Sequence, residues 1–235
     1  MTLSLIPIRG LGEIRPGDEL AEIILDAAVA QGTPLAERDC LVVTQKIVSK
    51  AENRLVRLDP DDPDAKRKLV EAESVRILRR RGELIISETR HGFVCANAAI
   101  DLSNVDEGWA ALLPVDSDRS AKHIRDALRA RTGVETAIIV SDTFGRPWQT
   151  GLVDVAIGVS GIAAVVDLRD TPDAHGRVLQ VTQVAVADEI ASAAELVMGK
   201  ATGIPVAIVR GLDESWFREG SARELIRPHD EQLFR

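Results

Sequence analysis

The chain has 235 residues, 45% of them hydrophobic and 28% charged, with a formal net charge of −8. That is ample for a buried core, while the acidity, the 3% aromatic content and the lack of tyrosine argue against a nucleic-acid surface, which needs a basic stripe and stacking rings. No run approaches the roughly 18 apolar residues of a membrane span, and the N-terminus lacks a basic-then-apolar leader, so a cytoplasmic location is expected.

The opening LSLIPIRGLGEI reads as a short strand running into a turn, Gly10-Leu11-Gly12-Glu13. Its glycines permit close approach of a ligand to the backbone, without completing a GxGxxG fingerprint. Pro16-Gly17-Asp18 then starts a helix with Leu20, Ile23, Ile24 and Ala27 on one face. CLVVTQKIVSK reads as a buried strand over 40–43 with polar residues after it. If the following segment is helical, Lys46 and Lys50 share a face and can meet phosphates; two solvated lysines are the alternative. DPDDPDAKRK is a polar turn or helix start, and a helix is predicted over 65–81 with Leu69, Ala72, Val75 and Ile77 in the core.

Further strands are predicted over 83–87, 134–140, 178–184 and 206–209, and Val186, Ile190, Ala193 and Val197 form the stripe of an amphipathic helix. This alternation predicts an α+β or α/β class with mixed sheets and packed helices. Residues 1–235 are read as one unit, with a division into two subdomains left open. Cys40 and Cys95 lie in apolar stretches without a CxxC pair and are expected to be buried free thiols.

An acidic protein binds anions through local Arg and Lys, backbone amides or bound cations. In Ser141-Asp142-Thr143-Phe144-Gly145-Arg146-Pro147-Trp148, an apolar strand delivers Asp142 and Thr143 at its C-terminal end, where ligand sites gather in α/β proteins. Carboxylate beside hydroxyl is a hard-oxygen pair suited to magnesium or manganese, and the Arg146 fork suits a phosphate or carboxylate. The same residues also suit a plain turn, with Asp142 capping amides and Gly145 supplying the bend. Asp101 and Asn104 offer an oxygen ligand and a hydrogen-bonding side chain, or equally a turn or helix cap. Asp188, Glu189 and Glu195 read as a solvated helix face with one acid in reach of a metal. His91, His123, His175 and His229 lack metal-ligand spacing, and His91 and His175 are read as surface or structural residues. No P-loop, HExxH or GxSxG motif is present.

Taken together, IPIRGLGEIRPGDEL, VVTQKIVSKAENRLV, ETRHGFVCANAAIDLSNV, IVSDTFGRPWQTGLVDVAIG and VTQVAVADEIASAAELVMGKA resemble, in order and across nearly the whole chain, the coenzyme F-420-0 gamma-glutamyl ligases. The likeness is to the stand-alone ligase and to the N-terminal domain of the longer bacterial form with a fused flavin-binding domain. It implies a family-specific ligase fold, neither P-loop nor Rossmann, in a cytoplasmic homodimer. The implied reaction adds L-glutamate to F-420-0 with conversion of GTP to GDP and phosphate, through an acyl phosphate. It implies divalent metal, magnesium or manganese in two sites, with potassium as a further candidate cation.

Carried over residue by residue, the resemblance makes Asp101 and Asp142 catalytic metal ligands and Thr143 a ligand of the second ion. Arg146 joins them as a catalytic group. Leu11, Gly12, Glu13, Ile14, Gln45, Lys50, Asn104, Gly199 and Lys200 become nucleotide- or cofactor-binding positions. Lys200 is a departure, since archaeal members usually carry Gln or another oxygen donor near the second metal. A protonated lysine cannot ligate, so Lys200 is expected to contact a phosphate instead. Two rival readings use the same residues: a metal-dependent phosphatase or nucleotidase, and a non-catalytic protein that binds F-420-0 or nucleotide.

Overall fold

The computed structural model describes residues 2–103 and 105–234. Its first half contains β1 (Ser4–Ile8), α1 (Leu20–Ala30), β2 (Cys40–Thr44), α2 (Gln45–Ala51), β3 (Leu55–Arg57), α3 (Ala65–Ala72), β4 (Ser74–Arg81), β5 (Leu84–Thr89), β6 (Val94–Ala96) and β7 (Trp109–Ala111). Then follow α4 (Ser117–Thr132), β8 (Ala137–Gly145), β9 (Leu152–Ser160), β10 (Val166–Asp167), β11 (Gln183–Val184), α5 (Val186–Met198) and β12 (Val206–Arg210).

The main sheet has the order β1-β12-β2-β8-β9. Only β2 and β8 pair in parallel, and every other neighbouring pair is antiparallel. Successive strand side chains point to opposite faces, and here both faces are covered. Leu41, Val43, Ile138, Val140 and Ile208 pack with Ile24, Ala28, Ile124 and Leu128 of α1 and α4. Cys40, Val42, Ile139, Ala207 and Val209 pack with Ala187, Ile190, Ala191, Ala194 and Met198 of α5. Burial on both sides is why CLVV and AIIV are unbroken apolar runs rather than alternating ones. Gly158 lets α4 close on β9, since a Cβ there would stand 2.3 Å from the Ser117 carbonyl oxygen.

A third core of Val70, Ile85, Ala98, Ile100, Ala110 and Leu112 joins the β4-β5-β6 sheet, the β3-β7 pair and α3. The α+β expectation holds, and both cysteines are buried and free.

Several elements differ from expectation. The helix over 65–81 stops at Ala72, and the remainder is β4, paired with β5. Val75 sits at a register shift between Ser74 and Arg76 and points outward, Ile77 packs on the third core, and Arg76 meets Glu88 across the hairpin at 2.8 Å. The predicted core set shifts accordingly: Val70 is buried, while Val75 is 69% exposed. Over 178–184 only Gln183–Val184 is a strand. The helix α4 and the strand β9 were not anticipated. In α5 the buried stripe runs through Ala187, Ile190, Ala191, Ala194 and Met198, leaving Ala193 and Val197 at its margin.

Candidate active site at the carboxyl ends of the central strands

Because β1 and β2 are each antiparallel to β12, they point the same way, and β8 runs parallel to β2. The carboxyl ends of these three strands therefore meet the amino ends of β9 and β12 at one edge of the sheet. A cleft of roughly 880 Å³ opens there, lined from Gly12–Ile14, α2, the end of β8, Asp154, the Gly199–Pro205 turn and the stretch between β6 and β7.

Asp101 is held by both backbone and side chain. Its amide and carbonyl pair with Ala111 at 3.0 and 2.8 Å. One carboxylate oxygen accepts from the Ser103 amide at 2.7 Å and hydroxyl at 2.8 Å. The other lies 2.8 Å from the Lys46 ammonium. Burial pushes the Asp101 carboxyl up, but Lys46 and Ser103 outweigh it and hold it below the usual range. The chain reaches Asp101 through a left-handed turn, with φ of 51°, 52° and 56° at Asn97, Ala98 and Ala99. Consecutive non-glycine residues in that region cost about 1–2 kcal/mol each, and the Asn97 side-chain oxygen secures the turn by accepting from the Ile85 amide at 3.0 Å.

Asp142 and Thr143 lie within β8, just past a register shift between Val140 and Ser141. The strand runs on to Gly145 where the sequence had suggested its end at 140. An Asp142 oxygen accepts from the Thr143 amide at 2.8 Å. Desolvation pushes the Asp142 carboxyl up to about 7; the Thr143 amide opposes the shift, Asp101 and Asp154 add to it, and Lys200 opposes it.

Asp154 is a cleft residue that sequence reasoning missed. It faces Thr143 across the hairpin, is only 2% exposed, and accepts from the Thr143 hydroxyl at 2.6 Å and the Ser141 hydroxyl at 3.3 Å. Lys200 Nζ stands 2.8 Å from Asp154 and 3.3 Å from Glu195, and also hydrogen-bonds Thr143 Oγ1. A lone acid inside LVDVAIG was the available signal, because an unpaired carboxylate in an apolar strand is costly. Glu195 and Asp188 do not belong to a solvated face: Asp188 accepts from the Ala156 amide at 2.8 Å.

The other expected residues divide. Lys50 is nearly buried and pairs with Glu13 at 2.5 Å, so these two join within the cleft and neither lysine of α2 is simply solvated. Gln45 lines the cleft, but its amide donates to Ser49 at 2.5 Å and to the Leu112 carbonyl at 3.0 Å. Gly12 and Ile14 line the cleft, whereas Leu11 is buried in the core under α1. Gly199 lines it with φ 64° and ψ 153° at the end of α5, a conformation essentially restricted to glycine. Arg146 stays out: it is exposed and donates to the Thr150 carbonyl at 2.6 Å, bracing the β8–β9 turn. Asn104 lies outside the described residues. His91 bonds the Pro114 carbonyl oxygen at 2.8 Å and His175 is exposed, as structural or surface residues.

Among the described residues no three His, Cys, Asp or Glu side chains cluster to hold a metal. Magnesium commonly uses only one or two carboxylates and takes its remaining ligands from water and phosphate. Asp142 fits that role: it is a desolvated carboxylate whose charge is opposed by two neighbouring acids. Thr143 and Asp154 do not fit a second ion as they stand, because the Lys200 ammonium already bonds both.

Paired carboxylates and lysines at the carboxyl ends of adjacent parallel strands make a cleft of the kind that binds anionic small molecules. Residues 10–211 match the family described as F420-0:Gamma-glutamyl ligase, and the chain belongs to that family. It is 44% identical over 251 residues to the coenzyme F420:L-glutamate ligase of Methanothermobacter thermautotrophicus, covering 100% of both chains. It is 42% identical to the ligase of the same name from Methanopyrus kandleri, over 100% of this chain and 98% of that one. With the Methanocaldococcus jannaschii ligase of that name the identity is 41%, over 91% of each. No described helix is long and apolar enough to cross a membrane.

Proposed function

We propose that this protein adds L-glutamate to coenzyme F420-0 as a gamma-glutamyl ligase, with GTP converted to GDP and phosphate. The family match over residues 10–211 carries this reading. A carboxylate is a poor electrophile, so the acceptor acid first attacks the terminal phosphorus of GTP and GDP leaves. The glutamate amine then attacks the acyl carbon, the bond from that carbon to the phosphate oxygen breaks with its electron pair leaving on phosphate, and the amine gives up a proton.

Such phosphoryl transfer asks the protein mainly for positioning and charge neutralisation. Two unit charges 4 Å apart repel by about 4 kcal/mol at an effective dielectric near 20, and this reaction gathers several anions. Lys50 and Lys46 bring positive charge to the cleft, and Gly12 and Gly199 keep backbone open beside it. Asp142, with Asp101 near it, would hold a magnesium or manganese ion, which when bound neutralises phosphate oxygens. GTP as the nucleotide and a homodimeric assembly belong to the same proposal.

Mass spectrometry of a reaction containing F420-0, L-glutamate, GTP and manganese tests it, with each component omitted in turn. A mass gain of glutamyl units that needs every component is expected. GTP hydrolysis without acceptor would favour a phosphatase, and binding without turnover a non-catalytic protein.

A further inference from the structure

The Lys200 ammonium has three N–H donors and three oxygen partners, each from a different element. They are Thr143 Oγ1 on β8, Asp154 Oδ1 on β9 at 2.8 Å and Glu195 Oε1 on α5 at 3.3 Å. Its donors are thus spent on the protein, which differs from the expectation that Lys200 grips a phosphate. Asp154 is 2% exposed, and a buried carboxylate needs a cation or a dense set of donors. Lys200 is the cation that the structure gives it.

The same three atoms, a hydroxyl and two carboxylate oxygens, are hard donors of the type that magnesium and manganese prefer. An ammonium and a divalent ion cannot share them, since both would stand within a few ångströms in a partly desolvated pocket. We propose that Lys200 is a tethered cation holding the place that Thr143, Asp154 and Glu195 would otherwise offer to a divalent ion. The chain then supplies one positive charge of its active site covalently, and only the Asp142 side of the cleft recruits metal. This deepens the ligase proposal and rests on it for the identity of the cleft.

The test counts bound Mn²⁺ per chain by electron paramagnetic resonance, for the wild type and for Lys200→Gln, with and without GTP. Gln replaces the cation with an oxygen donor, so the variant is expected to bind an additional ion per chain. Equal counts in the two proteins would overturn the proposal. Lys200→Ala provides a second reading through thermal unfolding. Its Tm should fall by several degrees and recover with Mn²⁺ by more than the shift that Mn²⁺ gives the wild type, and an equal shift would again overturn the idea. Neither readout involves turnover, so an absent glutamyl product sinks the ligase reading separately while the ion count still decides the role of Lys200.

Discussion

The Lys46 ammonium lies 2.8 Å from the Asp101 carboxylate and 2.9 Å from the Ser103 hydroxyl. A side chain of α2 thereby pins the segment between β6 and β7 that forms one wall of the cleft. Lys46→Met should keep the apolar stem while removing the charge. We expect faster amide hydrogen exchange over 101–103 and a loss of turnover of about tenfold or more, on the scale of a lost charge-assisted contact. Unchanged exchange would show that the Asp101–Ala111 backbone pairing alone holds that segment.

Asp142 is expected to link activity to stability. Its carboxyl is pushed up from 3.8 to about 7, so between those values the metal-free folded protein binds a proton that the unfolded chain has lost. Folding stability should therefore fall as pH rises from about 4 to 7 and level off above that. Asp142→Asn should flatten this part of the profile and raise the metal-free Tm at pH 8. The same substitution should cut turnover by about a hundredfold or more, since it removes a charge-stabilising group. Thermal melts across pH, with chelator present, and a glutamyl-transfer assay would check the two halves. Turnover within threefold of the parent would remove Asp142 from the mechanism.

Lys50 is paired with Glu13 at 2.5 Å, with the lysine stem nearly buried and Glu13 exposed. Lys50→Ala is expected to raise the apparent KM for GTP while changing kcat much less, the signature of lost ground-state binding. An unchanged KM would leave the lysine as a structural partner of Glu13.

Asn97 begins the left-handed turn that leads to Asp101. Asn97→Ala removes the acceptor for the Ile85 amide and places a less tolerant residue at positive φ. A loss of about 1–2 kcal/mol is expected from urea unfolding. A loss below about 0.3 kcal/mol would mean that Ala98 and Ala99 hold the turn through packing alone.

The sheet core was legible because CLVV and the strand around Val140 are apolar enough to read without partners. The helix α4 escaped notice although its signals were present. Asp116 caps it by accepting from the Arg119 amide at 3.0 Å, and Gly133 ends it with φ 71°. Its buried face consists of Ser117, Ser120, Ala121, Ile124 and Leu128, with two serines too weakly apolar to draw a stripe among so many charges. The error at β4 has the opposite cause. Leu69, Ala72, Val75 and Ile77 read in sequence as the core positions of one helix, yet Ser74–Arg81 pairs with β5, and only the β5 partner selects between the two periods.

The sequence by itself determined the family, the class of fold and several of the residues that line the cleft, because these reside in short motifs whose chemistry is local. Tertiary structure alone decided which of those residues meet. It placed Leu11 in the core and Arg146 on the surface, since one residue along a turn or past a strand end changes the direction of a side chain. It also brought Asp154 and Lys200, 46 positions apart, to within 2.8 Å. That pairing depends on a strand hairpin and a helix end sharing one edge of a sheet, a relation between distant segments that no local pattern encodes.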